Sequence, residues 1–243
     1  MASSGIHPEA TAGRTTTAIP EVPDFWFELP AGFTAFDLGE PSEARMLRMA
    51  EATELMFADA TPEQRFGLVV SGEYVLQTMI AAGAEHVSSC FVRMPDDELS
   101  QGTLCVLVER PERGPGRQDR PGSARRTAAQ WRAMHPEAEV GLVMLPYGMA
   151  ALCIDDQNVR IPGAFFGLDT PIPTTVRQLQ LCVPLEKGPG SVLFVFTTED
   201  VAHWSEYLDL LSGIMRSISA DEPRSEEEPG PHAPAAGGAE GRT

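Results

Sequence analysis

Apolar residues recur at helical spacing most cleanly near the C-terminal end of the chain. Val201, Trp204, Leu208, Leu211, Met215 and Ile218 follow one another at steps of 3, 4, 3, 4 and 3. Such a series lays one apolar stripe along a helix, and the stripe needs an apolar surface beneath it. Thr197-Thr198-Glu199-Asp200 supplies the cap. Two further helices are expected earlier. Ser42 caps the first, with Met46, Leu47, Ala50 and Phe57 roughly on one face. Thr61-Pro62-Glu63-Gln64 opens the second: Thr61 accepts from the third amide, Gln64 reaches back, and Pro62 lacks only a donor that would go unused. This helix runs to Ala82 and stops at Gly83, the residue type best suited to the left-handed position past a helix end.

Extended segments fill most of the remainder. His86–Arg93 and Thr103–Glu109 flank the acidic turn Pro95-Asp96-Asp97-Glu98. Val140–Leu145 and Met149–Asp155 flank Pro146-Tyr147-Gly148, and Thr174–Leu185 and Ser191–Thr197 flank Glu186-Lys187-Gly188-Pro189-Gly190. Connections this short permit only antiparallel pairing between neighbours. Two short extended pieces, Asp24–Pro30 and Ala31–Leu38, precede the helix pair. Between the first and second hairpins, Arg110–Met134 begins as a loop and becomes helical from Ala124. The fold class that follows is α+β: an antiparallel sheet of about six or more strands covered by helices, with a helix pair inserted near the N-terminus.

Composition sets the limits of the folded part. Residues 1–21 are rich in Thr, Ala, Ser and Gly, and residues 221–243 in Pro, Gly and acids; both are expected to be disordered tails around a single domain at 22–220. The chain of 243 residues has a formal charge of −17, which disfavours phosphate and hence nucleic-acid binding. No run of apolar residues is long enough for a membrane helix. The N-terminus has neither a basic region nor an apolar one of the secretory kind, so a cytoplasmic location is expected. Cys90, Cys105, Cys153 and Cys182 each sit in an apolar run without zinc-site spacing, which makes them reduced core residues.

Catalytic signatures are missing from the sequence: it has no G-x-S-x-G, H-E-x-x-H, P-loop or G-x-G-x-x-G. His86 and Cys90 would share a strand about 13 Å apart, too far for a nucleophile and its base. The acidic pairs fall in turns, where Asp serves its own backbone. No cofactor and no metal are expected. Two features suggest a protein partner instead. Between Arg110 and Arg132 lie seven arginines against Glu112 and Asp119, a basic strip on an acidic chain. Arg113, Arg117, Arg120, Arg125 and Arg126 are its candidate docking residues, unless the strip is only a solvated loop. The apolar, Pro- and Gly-broken stretch Ile161–Pro173 holds Phe165 and Phe166, and either plugs the sheet or forms a contact surface.

The two ends of the folded part carry a likeness. Trp-Phe-Glu-Leu-Pro-Ala-Gly-Phe (Trp26–Phe33) and the run from Val192 through Thr197-Thr198-Glu199-Asp200 to Ile218 resemble the Mog1/PsbP-like fold. That fold opens on a Pro-x-Gly-aromatic segment and closes with a strand, a corner and a helix. The helix pair at 42–82, the arginine segment, and Thr-Glu-Asp in place of a Thr-Pro corner depart from it. The resemblance implies a mostly non-enzymatic group: GTPase-binding factors, photosystem subunits, lipoproteins and chaperones of secreted effectors. It transfers no functional residue. The expected function is therefore a non-catalytic cytosolic binding protein, an adaptor or chaperone such as one serving a bacterial secretion or envelope system. The alternatives are an enzyme with an unrecognised His/carboxylate site near His86, His135 and the acidic turns, and a self-assembling structural subunit.

Overall fold

Alternation along the strands decides the layering. Leu104 and Val106 enter one apolar cluster while Cys105 and Leu107 enter another, so the sheet is covered on both faces. The computed structural model describes residues 15–19, 22–110, 119–186 and 190–221. Its elements in chain order are β1 (Thr15–Ile19), β2 (Val22–Leu29), β3 (Phe33–Ala35), α1 (Ser42–Met56), α2 (Pro62–Ala81), β4 (Ala84–Arg93), β5 (Leu99–Glu109), α3 (Arg120–Met134), β6 (Glu139–Leu145), β7 (Gly148–Ile161), β8 (Ile172–Pro184), β9 (Ser191–Thr198) and α4 (Trp204–Ser217). The architecture is α+β, with a seven-stranded sheet of order β3-β4-β5-β9-β8-β7-β6 and a separate ribbon β1-β2. Every neighbouring pair in the sheet is antiparallel.

One face of the sheet carries α4 and the β1-β2 ribbon. Tyr207, Leu211, Ile214 and Ile218 of the terminal helix region, with Ile19, Phe25 and Phe27 of the ribbon, bury against Leu104, Leu181, Phe194 and Phe196. The other face is divided: Leu76 of α2 packs on Val87 and Cys105, and Ala128 of α3 packs on Ala151 and Cys182. All four cysteines are free and buried. Burial pushes the Cys90 thiol up to about 12 and that of Cys105 to about 11, so both stay protonated.

Three hairpins form where the turn signals place them; β5 begins at Leu99 rather than Thr103, and β7 continues to Ile161, which puts the pair Asp155-Asp156 in a strand and not in a turn. The helix α2 carries the complete capping box: Gln64 N donates to Thr61 Oγ1 at 3.2 Å, and Thr61 N donates to Gln64 Oε1 at 2.9 Å. Gly83 follows it with φ of 86°.

Other expectations are corrected. Thr15–Ile19, within the stretch expected to be disordered, is a strand, because its Thr-rich pentad suits a pleated ribbon and Ile19 is wholly buried. Residues 1–14, 20, 21 and 222–243, the rest of the two expected tails, lie outside the described residues. Pro41, not Ser42, holds the cap position of α1, and Ser42 Oγ donates to Glu73 Oε1 at 2.8 Å. The inward face of α1 is Arg45 and Thr53, while Leu47 is 63% exposed. Asp119 caps α3 by accepting from Gly122 N at 3.2 Å, so the helix takes in Arg120-Pro121-Gly122, which read as loop. Helix α4 begins at Trp204, since Thr197 and Thr198 complete β9.

Candidate functional site

The helix pair is built on a polar seam. Arg45 Nη2 donates to Glu73 Oε1 at 2.7 Å and Arg45 Nε to Glu73 Oε2 at 3.2 Å, with both residues buried. Gln77 Nε2 and Ser42 Oγ each donate to Glu73 Oε1 at 2.8 Å, and Arg45 also donates to the Glu40 carbonyl. These donors hold the Glu73 carboxyl below its ordinary range, against the desolvation that raises it. With charge occupying the seam between α1 and α2, much of the pair's apolar surface faces outward. Among the described residues, seven of the thirteen exposed large apolar side chains are Leu47, Leu55, Phe57, Phe66, Leu68, Tyr74 and Val75. Leu47 and Leu55 share the outer side of α1, and Leu68 and Val75, seven residues apart, share one flank of α2. Around them the charge is negative: Glu40 to Ala82 contains seven acidic residues and three arginines.

Residues singled out in the sequence fall in separate places. Arg120 supports the fold: its Nε donates to the Pro184 carbonyl at 3.2 Å, its Nη2 to the Tyr147 carbonyl, and its guanidinium lies 4.6 Å from the Tyr147 ring centre. Arg125 and Arg126 are exposed on α3. Arg113 and Arg117 lie outside the described residues. Phe165 and Phe166 belong to a single 3-10 turn, Gly163–Phe166, at the tip of the β7-β8 arm. Both are half-buried against α2, where the Phe165 ring meets Tyr74 at 5.4 Å between centres. A Cβ at Gly67 would lie 2.6 Å from the Phe165 carbonyl oxygen, which makes glycine the residue that admits this close approach.

The described histidines do not gather. His86 is buried edge-on to Phe27, its Nε2 has no hydrogen-bond partner among the described residues, and desolvation lowers its pKa to about 4. His135 Nδ1 lies 3.2 Å from Asp155 Oδ2 at the end of α3. Nearby, a pocket of about 220 Å³ is lined by Glu137, Glu139, Ile154, Asp155, Asp156 and Arg177, with Arg177 held on Asp156. His203, before α4, lies between two carboxylates: Nδ1 is 2.9 Å from Asp200 Oδ2 and Nε2 is 3.0 Å from Asp96 Oδ2. Asp200, then Asp96, raise its pKa, and when protonated the ring donates from both nitrogens. Ser100 Oγ, 2.6 Å from Tyr207 Oη, is close by, but both His203 nitrogens face carboxylates and neither is placed to accept a proton from it. Asp96 belongs to the acidic turn expected between β4 and β5, and its contact with His203 joins residues more than a hundred positions apart, which no local signal encodes. Among the described residues no group of three or more His, Cys, Asp or Glu is arranged to hold a metal ion.

No family model matches the chain, and no curated protein matches it. A crystal structure of a protein from Bacteroides thetaiotaomicron is similar at 9% identity and a TM-score of 0.35, over 88% of this chain and 49% of that one. The chain thus spans about half the length of the solved structure it matches. Among the described residues no helix is long and apolar enough to cross a membrane.

Proposed function

We propose that the chain is a non-catalytic protein-binding factor, an adaptor or chaperone-like protein of the cytoplasm, whose docking surface is the α1-α2 pair. The observation that carries this reading is the crowding of exposed Leu, Phe, Tyr and Val side chains on that pair. Apolar side chains gathered on one element, with polar groups around them, favour an apolar counterpart over water. The acidic surround selects a partner segment with apolar anchors and basic flanks. Support also comes from the likeness of the chain's two ends to Mog1/PsbP-like proteins, which are mostly binding factors.

A photo-crosslinking amino acid at position 68 tests the reading, with the same probe at the exposed strand position 101 as control. In extracts of the native cell, position 68 should give one saturable adduct that unlabelled protein competes away, and position 101 none. Adducts of equal yield and variety at both positions would contradict it.

A further inference from the structure

The main sheet ends on one side in β3, three residues long, and on the other in β6, seven residues long. The Pro146–Tyr147 turn sets Leu145 opposite Gly148, and alternation from that pair directs the amides and carbonyls of Gly141, Val143 and Leu145 toward β7. Those of Val140, Leu142 and Met144 therefore point off the sheet. The Val140 carbonyl agrees with this, since it accepts from Arg132 Nη2 at 3.1 Å. Leu142 and Met144 also expose their side chains, by 41% and 73%. Free edges are ordinarily guarded by proline, lysine or a bulge. Here Glu-Val-Gly-Leu-Val-Met-Leu contains neither residue, and its register against β7 is unbroken.

Charge gives the edge a direction. Arg125 and Arg132 are seven residues apart and share a flank of α3, the flank that reaches Val140. Helix α3 runs opposite to β6, with Arg120 at the Tyr147 end. Seven helical residues rise about 10 Å, or about three residues of strand, so Arg125 stands level with Val143 and Met144. At the other end of β6, Glu137 and Glu139 are exposed. The edge is apolar in its middle, basic beside one end and acidic at the other. A second copy turned by a two-fold axis matches it: Val140 meets Met144 of the second copy, Leu142 meets its own counterpart, and the Glu139 end lies against the Arg125 flank.

We propose that two copies of this chain pair antiparallel through β6, centred on Leu142, to make one sheet continuous across a homodimer. The α1-α2 pair packs at the opposite end of the sheet, on β4 and β5, so this proposal and the docking role fail independently.

Sedimentation velocity over a range of concentrations tests it. The native chain should dimerise, Met144→Lys should be monomeric with the Tm of the native chain diluted to its monomer, and Arg125→Glu should weaken the dimer about tenfold, the combined size of its two symmetry-related charge contacts. Adding Glu139→Arg to Arg125→Glu should restore it. Under mild oxidant Leu142→Cys should crosslink to itself and Met144→Cys should not, because position 144 faces position 140 of the second copy; the native thiols are buried. A native chain that stays monomeric, a Met144→Lys dimer, or equal crosslinking from 142 and 144 would overturn the proposal.

Discussion

His203 and His86 bind protons in opposite senses, and the reason lies in what surrounds each ring. His203 meets Asp96 and Asp200, with Glu206 nearby, and its pKa is raised; His86 meets Phe27 and burial, and its pKa falls to about 4. A raised folded-state pKa means that the stability His203 contributes is fully present below about 6.5, its ordinary value. That contribution is lost as pH rises through the raised value. For His86 the sign reverses: between about 6.5 and about 4 the unfolded chain takes the proton first, so acid destabilises the fold. The expected outcome for His203→Gln is an unfolding free energy, from urea titration, below that of the native chain under mildly acidic conditions and converging with it at alkaline pH. A difference that grows with pH would refute the doubly paired imidazolium. None of this was legible beforehand: the sequence shows Asp200 three residues before His203, but Asp96 arrives through the fold.

Among the elements, local signals were read well and non-local ones poorly. The capping box of α2, the Gly83 stop and the three hairpins each depend on residues a few positions apart, and each is present; the α4 stripe is met in part, since the residues buried on that helix are Tyr207, Leu211 and Ile214, and only Leu211 belongs to the expected series. The orientation of α1 depends on Glu73, which lies on α2, and an apolar count therefore selected the wrong face. The same holds for the β7-β8 arm: Phe165 and Phe166 are visible in the sequence, but the glycine that receives them is about a hundred residues earlier, in a helix where it looks like a defect. Replacing a helical glycine by alanine normally favours the helix by up to about 1 kcal/mol. At Gly67 the new methyl would meet backbone at 2.6 Å, so Gly67→Ala is expected to cost about 1–3 kcal/mol as an overpacked contact and to free the arm tip. Thermal unfolding gives the first quantity, and hydrogen exchange at residues 163–168 the second. A more stable Gly67→Ala protein with an unchanged tip would show that the arm does not rest on α2.

Taken as a whole molecule, the fold class was accessible because antiparallel hairpins and an amphipathic terminal helix write themselves in periodicities of two and 3.6. The candidate surface was less so. The arginine strip stands out by charge, yet Arg120 is engaged with carbonyls at the sheet end, whereas Leu47 and Phe57 read as part of one helix face until the buried Arg45–Glu73 pair is seen. Docking through the helix pair and docking through the strip predict different variants to be defective. Partner capture from native-cell extract by three chains in parallel separates them: native, Leu68→Asp with Val75→Asp, and Arg125→Glu with Arg126→Glu. All four positions are exposed, so the Tm of each chain should stay within a few degrees. Capture should be lost with the apolar pair replaced and kept with the arginines reversed; capture kept by the first variant and lost by the second would rule out docking through the helix pair.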